Sequence, residues 1–359
     1  MAELVCYSFF LLEISCPTCL NIGLTNVEYA FMAELMGRYQ PFGPELFNCA
    51  APDTGNMEVL IKYGTDEQRE KWLTKLLNGE IRSAFAMTEP AVASSDATNI
   101  CSPITRADDG KTLVINGRKW WTSGIMNPEC KVIIFLGKSM SLIDSPPYRQ
   151  HTMVIIPRDA PGVKVLRPLS VFGFEDTIHG GHGEVEFQDV RVPRTSSLLL
   201  EEGKGFEIGQ GRLGPGRIHH CMRLIGMSAR SIDLAMDRSK SRIAFGKPIA
   251  LRDSVHEVFA KSYTELEQAR LLVLKTAHLI DVSGVKSARK EIAMIKAVVP
   301  SMSQRIIDHA IQVHGGAGVS QDFPLAGFMA AARSLRIADG PDAVHWRTIA
   351  RQLYKGQKL

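Results

Sequence analysis

The chain has 359 residues, 45% hydrophobic and 22% charged. That is ordinary globular composition, with room for two or three domains and a large core, and no internal repeat or low-complexity tract interrupts it. A net charge of +4, from 42 basic and 38 acidic residues, is too mild and too scattered to argue for nucleic acid, though a few basic residues could serve a phosphorylated ligand.

The apolar run Val5–Leu12 is too short to span a membrane. Glu3 and Glu13 flank it and no basic segment precedes it, so it makes a poor signal peptide, and it lacks the arginines of a transit peptide. Cys16-Pro17-Thr18-Cys19 is a C-x-x-C with no second pair and no strand–helix context, and coincidence explains it better than redox chemistry. The seven cysteines form an odd, widely spread set, which argues for reduced thiols in an intracellular protein.

From about Leu24 to Gly79 the pattern is helical. Val27, Ala30-Phe31 and Leu35 recur at helical spacing, as do Met57, Leu60 and Ile61. A further helix opens at Asp66 and continues through Trp72, Leu73 and Leu76-Leu77. From about Ile81 to Pro193 the chain turns β-rich, with strands expected at Lys111–Asn116, Lys131–Leu136, Thr152–Pro157, Gly162–Leu166 and Gly183–Val192. Asp109-Gly110, Pro161-Gly162 and Gly180-Gly181 separate them, which reads as an antiparallel barrel or sandwich. Ser141–Gln150, with Pro146-Pro147, reads as an exposed loop.

From Glu207 onward the chain is helical again. One apolar stripe takes Val255, Val258-Phe259, Leu266, Ala269 and Leu272-Val273, with Asp253 or Ser254 as its cap. Another takes Ile295, Val298-Val299, Met302, Ile306, Ala310 and Val313. Long amphipathic helices with short connections imply an antiparallel bundle. The expected segments are therefore an atypical N-terminal segment (1–22), a truncated N-terminal helical domain (23–80), a middle β domain (81–196) and a C-terminal four-helix bundle (207–359).

Several chemical motifs fail on their surroundings. Gly209-Gln210-Gly211-Arg212-Leu213-Gly214 fits G-x-G-x-x-G, but the helical pattern around it leaves no βαβ unit for a dinucleotide. His219-His220 face different sides of a helix, and His179 and His182 lack carboxylate partners at ligand spacing, so no metal site is expected.

Three motifs remain. Phe85-Ala86-Met87-Thr88-Glu89-Pro90 leads into Ala91-Val92-Ala93-Ser94-Ser95-Asp96, whose small side chains let the backbone approach a ligand. By composition alone it is a surface loop. Lys119-Trp120-Trp121-Thr122-Ser123-Gly124 sets hydroxyls beside a flat ring, which suits an isoalloxazine as well as it suits a core aromatic pair. Asp339, before Gly340-Pro341-Asp342, is either a helix-junction residue or an acid that an apolar flavin site could desolvate into a base.

With Arg242-Ile243-Ala244-Phe245-Gly246-Lys247 and Gln312-Val313-His314-Gly315-Gly316-Ala317-Gly318, these motifs occur in one order, and by them the chain resembles the acyl-CoA dehydrogenase family from about Leu24 to Leu353. It looks closest to the eukaryotic branch often joined to an upstream kinase-like domain. The resemblance implies an α+β protein of three domains: an N-terminal helical domain, a middle antiparallel β-barrel and a C-terminal four-helix bundle. The implied cofactor is FAD, and the implied reaction is α,β-dehydrogenation of acyl-CoA thioesters to trans-2-enoyl-CoA in fatty-acid β-oxidation. Electrons would pass to an electron-transfer flavoprotein. An acyl-CoA oxidase and a flavin-binding scaffold stand as alternatives.

By the same resemblance, Phe85, Met87, Thr88, Ser94 and Ser95 line the flavin, and Trp121, Thr122 and Ser123 flank its ring. Arg242, Phe245, Gln312, Gly315 and Gly316 reach FAD bound mainly by a neighbouring subunit of a homodimer or homotetramer. Pro341, Asp342 and Ala343 close over the cofactor. Ser95, Gly214, Pro215, Gly216, Arg217 and Gly340 meet the substrate. Asp339 falls where many relatives keep a catalytic Glu, and it is one methylene shorter. Met1–Cys19 does not resemble the family's opening helices, which suggests an alternative start, an exon difference or an imperfect gene model. The last two residues of Gln357-Lys358-Leu359 echo a peroxisomal tail. Family habit implies a mitochondrial protein, with the peroxisome as the alternative.

Overall fold

The computed structural model describes residues 23–355, apart from the side chains of residues 213–215; the expectations for Met1–Cys19 and the C-terminal tail lie outside the described residues. The first helices are α1 (Asn26–Arg38), α2 (Phe42–Leu46) and α3 (Asp53–Tyr63). One rod follows, made of α4 (Asp66–Gln68), a π-helical turn (Arg69–Leu73) and α5 (Thr74–Leu77). Thr65 and Gln68 cap its start reciprocally. Then come β1 (Arg82–Ala86), β2 (Pro103–Arg106), β3 (Thr112–Ser123), β4 (Cys130–Ser139), β5 (His151–Pro157), β6 (Val163–Leu169) and β7 (His182–Pro193). After α6 (Arg194–Ser197) lie α7 (Gly205–Ser241), the hairpin β8 (Ile243–Ala244) and β9 (Lys247–Pro248), α8 (Asp253–Ser287) and α9 (Arg289–His314). Three shorter helices close the chain: α10 (Gly316–Val319), α11 (Leu325–Ser334) and α12 (Asp342–Leu353). The G-x-G-x-x-G run lies inside α7, so it forms no phosphate loop.

Packing divides the chain into two units. Among the described residues, one holds 45–213 and the other holds 24–44 with 214–355. This line differs from the composition zones: α1 belongs with the C-terminal helices, and α7 contributes residues to both units.

In the first unit the sheet runs β1-β4-β2-β3-β7-β6, with β5 on the other side of β4. Most pairs are antiparallel, but β4 runs parallel to both β1 and β2. Those two short strands escape the sequence pattern, since β1 has five residues and β2 opens on Pro103. In β4 and β5, alternate residues enter two different cores. Val132, Ile134, Leu136, Met153 and Ile155 pack with Leu60, Leu73 and Leu76 from the helices. Ile133, Phe135, Val154 and Ile156 pack with Val185, Phe187 and Val190 of β7. Burial on both faces explains why β4 reads as a continuous apolar run.

In the second unit, Asn26 and Val27 at the start of α1 donate their backbone N–H groups to the Asp281 carboxylate of α8, at 2.8 and 3.1 Å. Arg270 of α8 forks onto Glu34 of α1. Helix α8 has no side-chain cap: its N-cap is Arg252, not the expected Asp253 or Ser254. The α9 stripe is buried at Ile295, Val299, Met302, Ile306 and Ala310. Val298 is exposed, while Lys296, on the buried side, is 0% exposed.

Helices α1 and α7 touch backbone to backbone. A Cβ on Gly226 would lie 2.1 Å from the Glu34 carbonyl oxygen, and one on Gly37 would lie 2.2 Å from the Arg223 carbonyl oxygen. Neither oxygen can swing aside without bending its helix. Gly226→Ala is therefore expected to cost about 1–3 kcal/mol through overpacking, read as a lower urea midpoint. An unchanged midpoint would show that the helices do not meet there.

Candidate functional site

In the first unit the Phe85–Asp96 run is bound to the Trp pair. Phe85, near the end of β1, pairs with Ser123 at the end of β3. Thr88 Oγ1 donates to the Trp120 carbonyl at 2.6 Å, and Trp120 N–H donates to the Thr88 carbonyl at 3.1 Å. Ser94 Oγ accepts from Glu89 N–H at 2.9 Å, and Ser95 beside it is exposed. The Arg212 guanidinium sits 3.8 Å over the Phe85 ring.

Beneath this loop lies an ion pair that the sequence pattern does not announce. Lys119 Nζ donates to Glu89 Oε1 at 2.7 Å, and also to the carbonyls of Met87 at 2.9 Å and Leu136 at 2.7 Å. Glu89 accepts further from the N–H groups of Cys101 and Ser102. Both side chains are almost wholly buried. Burial opposes the charge on Glu89, but Lys119 and the two N–H donors win and hold its carboxyl down to about 2.

The loop's partner surface is Trp121. Its backbone is left-handed (φ 49°), the residue is 38% exposed, and its ring lies 5.6 Å from the His182 ring. Ser123 Oγ is 2.9 Å from His182 Nδ1. Thr122 between them is fully buried, and its hydroxyl has no partner among the described residues. The expectation that His179 and His182 lack a carboxylate partner is wrong. Asp176 lies 2.7 Å from His179 Nδ1 and 3.6 Å from His182 Nε2, because its left-handed turn folds it back toward both.

In the second unit Asp339 ends the turn between α11 and α12. Its φ is 56°, a conformation that Asp tolerates better than Glu because its short polar side chain can bond locally. This is a physical reason for the shorter acid here. Its carboxylate Oδ2 lies 3.2 Å from His220 Nε2. Its carbonyl accepts from Arg217 Nε and faces His345 Nε2, each at 3.2 Å. Lys296 Nζ donates to the Ala338 carbonyl at 2.8 Å and also to that of Leu335. The surroundings expected for Asp339 were apolar; the structure shows a cationic cage. Burial alone would raise the carboxyl, but the His220 hydrogen bond and the charges of Arg217 and Lys296 hold it below the usual carboxylate range. His220, read from the sequence only as no metal ligand, is the direct partner of this acid.

The other expected residues of this unit are spread more widely. Arg217, Gly340 and Asp342 surround the turn. Gly340 has φ 103°, and a Cβ there would meet His345 Nε2 at 2.8 Å. Asp342 pairs with Arg336 at 2.7 Å, and its other oxygen is buried with no partner among the described residues. Pro341 is the N-cap of α12, Ala343 is exposed, and Gly216 has open space where a side chain would be. Gly214 lies in α7 with backbone alone described, as does Pro215. Arg242, Phe245, Gln312, Gly315 and Gly316 are all exposed, and Phe245 is 96% exposed in the β8–β9 turn.

Residues 12–80, 84–190 and 203–354 match the family models described as the N-terminal, middle and C-terminal domains of acyl-CoA dehydrogenase. The first match reaches back to residue 12, inside the stretch expected not to resemble the family. Acyl-CoA dehydrogenase family member 10 of Mus musculus is 58% identical over 93% of this chain and 31% of its own length. Probable acyl-CoA dehydrogenase FadE2 of Mycobacterium tuberculosis is 54% identical over 92% of this chain and 79% of its own. The solved structure of a candidate acyl-CoA dehydrogenase from Mycobacterium abscessus superposes with a TM-score of 0.92, at 50% identity, covering 98% of this chain and 84% of that one. The chain spans 31% to 42% of the animal relatives it matches first.

Proposed function

The chain belongs to the acyl-CoA dehydrogenase family, and from that premise we propose that it removes two hydrogens from an acyl-CoA thioester, with FAD as cofactor and Asp339 as base. The observation that carries the reading is the partly buried Asp339 carboxylate, kept ionised at a turn whose carbonyls are bound by Arg217 and Lys296.

The residues of the first unit fit a flavin. An exposed indole with a hydroxyl beside it, together with an exposed serine in a small-residue loop bound to the same strand, suits a flat heteroaromatic ring with a polar edge. Trp121 and Ser123 are the two of their trio that remain accessible, and the backbone of Met87 and Thr88 lies beside them. When bound, FAD supplies the acceptor for the β-hydride. Asp339 takes the weakly acidic α-proton, and the electron pair left behind completes the α,β double bond. A carboxylate already ionised can accept that proton over the whole neutral range. The exposed Phe245 and Gln312 suit a cofactor shared with a second copy of the chain, in a dimer or tetramer.

The same reading extends to fatty-acid β-oxidation, to an electron-transfer flavoprotein as acceptor, and to a mitochondrial site with the peroxisome as alternative. No helix among the described residues is long and apolar enough to cross a membrane.

The test is anaerobic. The purified protein should carry a yellow flavin that bleaches when acyl-CoAs of graded chain length are added. Bound flavin that no member of the panel bleaches would favour the scaffold. Bleaching that reverses rapidly with oxygen alone would favour the oxidase.

A further inference from the structure

We propose that His220 is the positioning residue of the Asp339 base. It donates Nε2–H to the carboxylate, and so decides which oxygen stays free for a substrate proton and in what charge state. This rests on the reading of Asp339 as base.

The geometry fixes the tautomer of His220. Its Nε2 lies 3.2 Å from Asp339 Oδ2, and its Nδ1 lies 3.4 Å from Nη2 of Arg223, which can only donate. A proton on Nδ1 would face that guanidinium, so the ring is neutral with its proton on Nε2. Burial, opposed by the bond to Asp339, pushes the ring further toward neutrality. His220 is therefore a fixed donor, with no free nitrogen to act as a base itself. One carboxylate oxygen is committed to it.

The other groups facing Asp339 make a different kind of contact. From α7 come Arg217, which binds the backbone carbonyl, and the buried Cys221, whose thiol burial pushes up to about 12. From α9 comes Lys296, whose hydrogen bonds go to the Leu335 and Ala338 carbonyls. From α12 come His345, which faces the Asp339 carbonyl and is lowered to about 4 chiefly by burial, and Asp342, which is turned to Arg336. These residues hold the turn or set its field. Among the described residues, His220 is the side chain placed against the carboxylate itself. The functional consequence has a sign. A donor to the ionised form lowers the acid's pKa, so losing it raises that pKa and gives the reaction an acid limb.

The experiment isolates proton removal. An acyl-CoA analogue with sulfur in place of the β-carbon can lose its α-proton but cannot give up a hydride. Its α-deuterium exchange is followed against pH at low analogue concentration, so that the profile reports the free enzyme. The parent is expected to show no acid limb down to the pH at which it unfolds. His220→Leu should gain an acid limb that the parent lacks, displaced upward by about one unit or more, with exchange that slows about tenfold for each pH unit below it and recovers as pH rises. His220→Gln, which keeps an N–H donor, should restore most of the parent profile. Melting temperature and flavin content are measured for each variant. If His220→Leu folds and its profile matches the parent's, or if it slows exchange equally at every pH, the positioning role is overturned. Asp339→Asn separates the two ideas: retained exchange there refutes the base assignment itself, whereas lost exchange leaves that assignment standing whatever His220 does.

Discussion

Asp339→Asn is expected to fold, bind flavin as the parent does, and lose about 100- to 10,000-fold in the rate of substrate-dependent bleaching. The amide keeps the size of the carboxylate, and its oxygen can still accept from His220 Nε2, so the cage loses a charge but no contact. What disappears is the lone pair that takes the α-proton. Stopped-flow bleaching under anaerobic conditions measures the loss, and unchanged rates would place the base on another residue. Asp339→Glu is the informative companion. It restores the acid usual in the family, but the backbone at φ 56° disfavours the longer side chain, and the extra methylene drives its carboxyl into a ring already 3.2 Å away. The Glu variant is therefore expected to be slower than the parent, although it carries the commoner residue.

How much of this site the sequence reveals depends on range. Asp339 and the Thr88-Glu89-Pro90 turn stand out because each sits in a short local pattern. His220 does not, because 119 positions separate it from its partner and its own neighbourhood reads as an ordinary amphipathic helix. Lys296 is legible in hindsight as the one charge on the inner side of an apolar stripe, but the carbonyls it binds are about forty residues away. The strands show the same rule. The bounds of β5 and β7 lie within one residue of those expected, but β3 runs on to Ser123, seven residues past the expected Asn116, and β1 and β2 are too short to carry a period and exist because β3 and β4 offer them a slot. Domain membership is the least local property of all. Helix α1 has the pattern of an N-terminal helix, yet Asp281 and Arg270 hold it among the C-terminal helices.

Lys119→Met is expected to be the most damaging single substitution in the first unit. It leaves the Glu89 carboxylate buried with no cation, held by the Cys101 and Ser102 N–H groups and the Cys101 thiol, and strips a donor from the carbonyls of Met87 and Leu136. Breaking a buried pair in this way costs about 3–5 kcal/mol, far more than a surface ion pair is worth. The transition can be followed in urea by the fluorescence of Trp120 and Trp121, which adjoin the pair in sequence. Combining Lys119→Met with Glu89→Gln should recover part of the loss, because the second change removes the uncompensated charge. Acid supplies an independent check. With its folded pKa held near 2, below the ordinary 4.5, Glu89 contributes stability that is fully present above about pH 4.5 and is lost as pH falls toward 2. The stability gap between parent and Glu89→Gln should therefore be widest at neutral pH and shrink across that window. A gap that stays constant from pH 7 to pH 3 would mean that the carboxylate is not ionised against Lys119. The pair would then be no anchor for the loop, and the Met87 and Thr88 backbone would need another explanation for being held beside Trp121.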